Sequence, residues 1–175
     1  MDTVHALLVF AIATALQTAS AQSLARDSAF PAERTVQVAG DGVDLLNGAI
    51  VHSIKRTDTG MVQRSTETVE LFGDLRGRVL YHVTSVFDFE NGTLTNTGDQ
   101  VYSGTIAGSD PVMIHDDEFR FDVNLLTGAE AGSVYLLHHI AGPKIRCVLE
   151  VFGTGLNGEG NPTFGYTGEC TFRGG

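Results

Sequence analysis

From Arg34 onward the chain holds no 3.6-residue apolar period over ten or more residues. Its apolar side chains fall instead into short alternating runs broken by glycine. All 21 glycines lie at or after Gly40, and there is no tryptophan. Asn-Gly at 47–48, 91–92 and 157–158 and Asp-Gly at 41–42 adopt positive φ at low cost and mark tight turns. The runs that read as strands are 34–39, 48–56, 66–72, 78–89, 100–107, 112–115, 118–123, 133–140, 145–152 and 164–172. Strands at this spacing, with no helices between them, specify an all-β domain. The expected architecture is a single antiparallel β-barrel of about eight strands, with a flattened β-sandwich as the alternative.

The N-terminus reads as an export signal. Ala6 to Leu16 is an uncharged apolar run, too short for the roughly 20 residues that span a bilayer. It leads into Ala19-Ser20-Ala21, an A-x-A cleavage pattern. The preceding MDTVH departs from the usual pattern, carrying Asp2 and no Lys or Arg. Residues 1–21 are therefore read as a cleaved signal peptide, 22–33 as a flexible leader and 34–175 as the barrel domain. The expected location is secreted or periplasmic, with no membrane span in the mature chain.

Export makes a disulfide the default state of Cys147 and Cys170, which sit in the last two strand candidates. Opposing these two cysteines sets Ile145 against Phe172, Leu149 against Gly168, Val151 against Tyr166 and Gly153 against Phe164. One sheet face is then apolar, aromatic or glycine throughout. The other face pairs Arg146 with Thr171, Val148 with Glu169 and Glu150 with Thr167, and is mostly polar. A slip of one residue would mix the faces, so cysteine position and alternation yield the same register independently. The strand 78–89 alternates in the same way, with Val79, Tyr81, Val83, Ser85, Phe87 and Phe89 on the inward face and His82 pointing out.

Several chemistries are disfavoured. The formal net charge of −10 repels phosphate, so no nucleic acid partner is expected. Adjacent His138 and His139 on a strand face opposite ways, and no H-x-H spacing occurs, so no metal site is assigned. His115-Asp116-Asp117-Glu118 lacks the spacing of a calcium loop and reads as a solvated turn between two strands. No G-x-S-x-G nucleophile elbow is present. Glycines 153, 155 and 158 form a G-x-G-x-x-G, but it lies between antiparallel strands and opens no helix, which leaves a hairpin loop. Asn91-Gly92-Thr93 is a glycosylation acceptor only in a eukaryotic host.

What remains is the barrel interior. Val79, Val83, Ser85 and Phe87 from one strand and Leu149, Val151 and Phe164 from the last hairpin would line an apolar chamber, joined by Tyr135 or His139. Such a chamber suits an apolar small molecule oriented by a few polar groups. Tyr81, Tyr166 and Glu150 are the candidates to supply a proton or a hydrogen bond, Glu150 the weakest because the hairpin register puts it on the polar face. No cofactor is called for.

The segments RVLYHVTSVFDF, GDQVYSGTIAG and VFGTGLNGEG…YTGECTFRG, between Val79 and Phe172 together with the flanking residues, resemble the allene oxide cyclase and dirigent group of small antiparallel barrels. That resemblance implies an eight-stranded barrel, often trimeric. It also implies a hydrophobic cavity that steers cyclisation or radical coupling by shape, without metal. It assigns no catalytic residue here. Two classes of function follow: an exported cofactor-independent cyclase or isomerase working by conformational confinement, and a non-catalytic secreted binding or structural envelope module. A homo-oligomer, trimer or dimer, is compatible with both.

Overall fold

The computed structural model describes residues 33–174. Residues 1–21, read from the sequence as a cleaved signal peptide, and residues 22–32 of the expected 22–33 leader lie outside the described residues. Ten strands follow one another: β1 Arg34–Asp44, β2 Ile50–Arg56, β3 Gly60–Gly73, β4 Leu75–Asp88, β5 Thr93–Ile106, β6 Val112–Asn124, β7 Glu130–Leu136, β8 His138–Ala141, β9 Lys144–Leu156 and β10 Pro162–Arg173. Among the described residues the one helical element is a short 3-10 turn, Leu46–Gly48. Neighbours run β1-β10-β9-β7-β6-β5-β4-β3, and β3 pairs back onto β1. The result is a closed antiparallel barrel of eight strands, with β2 and β8 lying outside it on β3 and β6. Closure settles the choice between barrel and sandwich.

The ring closes where Gly40–Asp44 of β1 pairs with Gly73–Val69 of β3, while residues 40–43 also pair with β10. Tyr166 holds this seam from inside. Its hydroxyl accepts from the Leu75 N–H at 2.7 Å and lies 3.0 Å from the Phe72 carbonyl, to which it donates. A Cβ at Gly40 would collide with that hydroxyl and with Phe72 O, so glycine there is a condition of close approach. Gly42 is also inside a strand rather than in a turn. Its bare Cα leaves room for the Phe164 ring, which corrects the turn reading of Asp41-Gly42.

The last hairpin has the register read from the cysteines. Cys147 faces Cys170, Leu149 faces Gly168, Val151 faces Tyr166 and Phe164 faces Gly153, with an irregularity only beyond, at Thr163. The two cysteines form a disulfide and are both buried. They share the inward face with Ile145, Leu149 and Val151, which are also buried. With Leu75, Ile106 and Ile114, all fully buried, they plug one end of the barrel.

Two expected elements differ. The run His115–Glu118 is not a turn but lies within the continuous strand β6. Register slips there, Gln100 facing Asp116 while Gly98 faces Phe119, so one β5 residue opposes two on β6. The bulge resets the alternation: Val112, Ile114 and Asp116 are buried before it, and Phe119 after it. Asp116 is buried because three donors satisfy it: Gln100 Nε2 at 2.8 Å, the Tyr135 N–H at 2.9 Å and the Glu118 N–H at 2.8 Å. Likewise, residues 133–140 do not form one strand. They split at Leu137 into β7, which joins the barrel, and β8, which does not.

Tyr166→Phe strands the buried Leu75 N–H and removes the donor to the Phe72 carbonyl at the seam. It should lower the free energy of unfolding by about 1–3 kcal/mol in chemical denaturation. Unchanged stability would remove the seam role. Reduction of the disulfide should cost about 2–4 kcal/mol in the same assay, and a thiol probe should label neither cysteine before reduction.

Candidate functional site in the barrel interior

The barrel encloses a cavity of about 320 Å³. Its depth is sealed by Leu71, Val79, Leu136 and Tyr166, all buried. Towards the other end the lining changes to Leu46, Phe87, Leu94, Val123, Glu130 and Pro162, none of them fully buried. This end carries the β4–β5, β6–β7 and β9–β10 turns and forms the mouth.

Of the sequence candidates, the structure brings Val79, Tyr81, Ser85 and Phe87 of β4 together with Leu149, Val151, Phe164 and Tyr166 of the last hairpin on the chamber wall. Val83 shares the inward face and is buried in the core without lining the chamber. Phe89 lies past the end of β4 and is exposed.

Three candidates lie elsewhere. In β7 it is Val134 and Leu136 that look inward, because Val134 faces Leu149 across the ladder and opposed residues share a sheet side. Tyr135 therefore points away. His139 lies on β8, outside the barrel, exposed, with its ring Nε2 2.8 Å from the Gly142 carbonyl. Glu150 is exposed on the outer surface, where it accepts from Ser133 Oγ at 3.1 Å.

The chemistry of the chamber centres on Tyr81, packed edge-on against Phe119 at 5.9 Å between ring centroids. Its hydroxyl oxygen lies 2.9 Å from Asp44 Oδ2 and 2.7 Å from Glu67 Oε2. A phenol carries one hydrogen and cannot donate to two carboxylates at once. One carboxyl must carry a proton and donate to the phenol oxygen, while the phenol donates to the other. Glu67 also accepts from Ser65 Oγ at 2.5 Å through its other oxygen. Asp44 is the proton carrier. Burial, then the charges of Glu67 and Glu130, outweigh the Tyr81 hydrogen bond and push its carboxyl up to about 7. Burial likewise raises Glu130. Burial, Asp44 and Glu67 all push the Tyr81 phenol upward, so it remains a hydroxyl that relays or donates and never serves as a base. The Tyr166 hydroxyl, raised by burial, is committed to the seam.

Asp44, Glu67 and Glu130, with Gln63, Asn96 and Gln100, are the lining groups that the sequence reading missed. A signal existed for Glu67: it shares strand parity with Val69 and Leu71, so an inward apolar face carries it inside. Asn96 lies in 93–99, between the strand candidates 78–89 and 100–107, and is in fact in the first half of β5. Among the described residues, no group of three or more His, Cys, Asp or Glu is arranged to hold a metal ion. No described helix is long and apolar enough to cross a membrane.

Comparison with protein-family models, with curated proteins and with solved structures finds no match to this chain.

The raised Asp44 sets a sign for pH dependence. The folded chain holds this proton more tightly than the unfolded chain, whose carboxyl titrates at the ordinary 3.8. The associated stability is complete below that value and is lost as pH rises from about 4 to about 7. Asp44→Asn should remove this slope. Between those pH values, wild type should lose on the order of 2–4 kcal/mol relative to the variant in denaturant titrations. Parallel pH profiles would show that Asp44 is not protonated in the fold.

Proposed function

We propose that this chain is an exported β-barrel that takes an apolar small molecule into its interior and isomerises or cyclises it without a cofactor. The observation that carries the reading is a pair of carboxyls, Asp44 and Glu67, held 2.9 and 2.7 Å from the Tyr81 hydroxyl inside a chamber with otherwise largely apolar walls, the Asp44 carboxyl pushed up to about 7 by burial and neighbouring charge. An acid that keeps its proton near neutrality is suited to protonate or hydrogen-bond a substrate and to take the proton back. Phe87, Leu94, Phe121 and Val123 would confine the substrate body between the mouth and the acid, reducing the conformers open to it. Export is supported by the apolar N-terminal run and its A-x-A end, and by a disulfide of the kind that persists in oxidising compartments.

A binding module that does no chemistry would share the same walls but would not need the shared proton. Native mass spectrometry of protein purified gently from its source reports cleavage site, oligomer and any retained compound together. The expected result is a retained apolar compound on the mature chain. Incubated with that compound, wild type should convert it to an isomer, whereas Asp44→Asn should bind it and slow conversion by about 10²-fold or more. Equal conversion by both proteins would end the catalytic reading. An empty barrel that takes up no apolar probe would end the ligand reading as well.

A further inference from the structure

Inward-facing residues of β3, β4 and β5 stand in rows across the chamber wall, because opposed residues share a sheet side. Two of these rows are polar at every position. In the deeper row Glu67 faces Tyr81, which faces Gln100. Its groups are spent inside the protein, Tyr81 on Asp44 and Glu67, and Gln100 on Asp116. In the row nearer the mouth Gln63 faces Ser85, which faces Asn96. All three line the chamber. Ser85 is only 6% exposed, yet its hydroxyl has no hydrogen-bond partner among the described residues, and neither amide has one. Asn96 Oδ1 is sealed in the wall, so Nδ2 is the amide atom left to open on the chamber. Buried polar groups are ordinarily paired, because an unmet one is costly. This row is a set of donors short of an acceptor.

From this we infer that the ligand carries a neutral carbonyl on its apolar body, and that Gln63, Ser85 and Asn96 hold the carbonyl oxygen. The inference rests on the reading of the interior as a ligand chamber and names the ligand's polar group. A carbonyl oxygen only accepts, which matches a row that offers amide N–H groups and a hydroxyl. The shapes agree as well. Ser85 is the shortest of the three and stands between two longer amides, which leaves a notch over its Oγ. Phe87 and Leu94 face each other one row nearer the mouth and shield the notch from bulk water, which strengthens the bonds made there. An alcohol would bring a further donor to a row already rich in donors. A carboxylate would bring charge to a wall that carries Asp44, Glu67 and Glu130 and no Lys, Arg or His. Ser85 lies on β4 about 13 Å from Tyr81 along the strand, at roughly 3.3 Å per residue. The row is therefore a positioning site: it anchors the carbonyl and directs the apolar arm inward, towards Tyr81.

The test compares polar groups on one ring. Acetophenone, ethylbenzene and benzoate are titrated into the mature protein at neutral pH by calorimetry, and carbonyl-labelled acetophenone is followed by carbon NMR. Acetophenone should bind at least as tightly as ethylbenzene, although water expels ethylbenzene more strongly, and benzoate should bind weakest. The bound carbonyl resonance should lie close to its position in water, where the oxygen is hydrogen-bonded. A carbonyl left without donors moves upfield, towards its position in hexane. Ser85→Ala combined with Asn96→Leu should weaken acetophenone relative to ethylbenzene by about tenfold and move the bound resonance upfield. If the resonance in wild type is already upfield, or if the variant leaves both the affinity ratio and the resonance unchanged, the carbonyl inference falls while uptake of the ligands keeps the chamber reading standing. If none of the three binds, the chamber reading itself falls, and the inference with it. The wild-type resonance carries the result even where the double variant folds poorly.

Discussion

Everything in this molecule depends on the short pairing of Gly40–Asp44 with Val69–Gly73, which turns a long twisted sheet into a ring. Without it, β1 and β3 would each present an unpaired edge, and the interior would be an open sheet face. The two strands approach closely because glycines stand at the crossing and because one phenol replaces what side chains cannot supply. The Tyr166 hydroxyl satisfies the Leu75 N–H and the Phe72 carbonyl at the tight β3–β4 turn. Asp74 adds a second latch, its carboxylate accepting from the Ala39 N–H at 2.9 Å. A tyrosine that looks catalytic in the sequence is thereby used up in holding the barrel shut.

The same seam delivers the site. Asp44 is the last residue of β1 and faces Val69, two residues from Glu67 on β3. Closing the ring therefore carries an aspartate against a glutamate and a tyrosine that belong to the opposite flank of the sequence order. The cost of placing two carboxyls around one phenol is limited because burial and the charge of Glu67 push the Asp44 carboxyl up to about 7, where it can keep a proton. Structure and chemistry are coupled through one strand end: loosening the seam would let water reach Asp44 and lower its carboxyl towards the ordinary range.

Alternation was legible wherever a strand was regular, and misleading wherever a bulge or a break reset its parity. The hairpin of Cys147 and Cys170 could be registered residue by residue, because two constraints agreed. The inward face of β4 could be listed up to Phe87. Tyr135 and His139 could not be placed, since the break at Leu137 sends β8 outside the ring, and pairing with Leu149 selects Val134 for the interior. Asp116 was hidden in an acidic run that resembles a solvated turn. Its burial depends on a glutamine from β5 and backbone N–H groups from β6 and β7, donors that meet only in the folded barrel.

By itself the sequence determined the all-β class, the antiparallel hairpins, the disulfide and the apolar character of one face, because each of these follows from local alternation and turn chemistry. Only the tertiary structure decided that the sheet closes, which end is sealed, and that Asp44, Glu67 and Tyr81 meet. The reason is one of range. Period-two patterning says which side of a strand a residue occupies, but not which distant strand will lie across from it. Protonation of Asp44 depends on the burial and the neighbouring charges that closure alone creates.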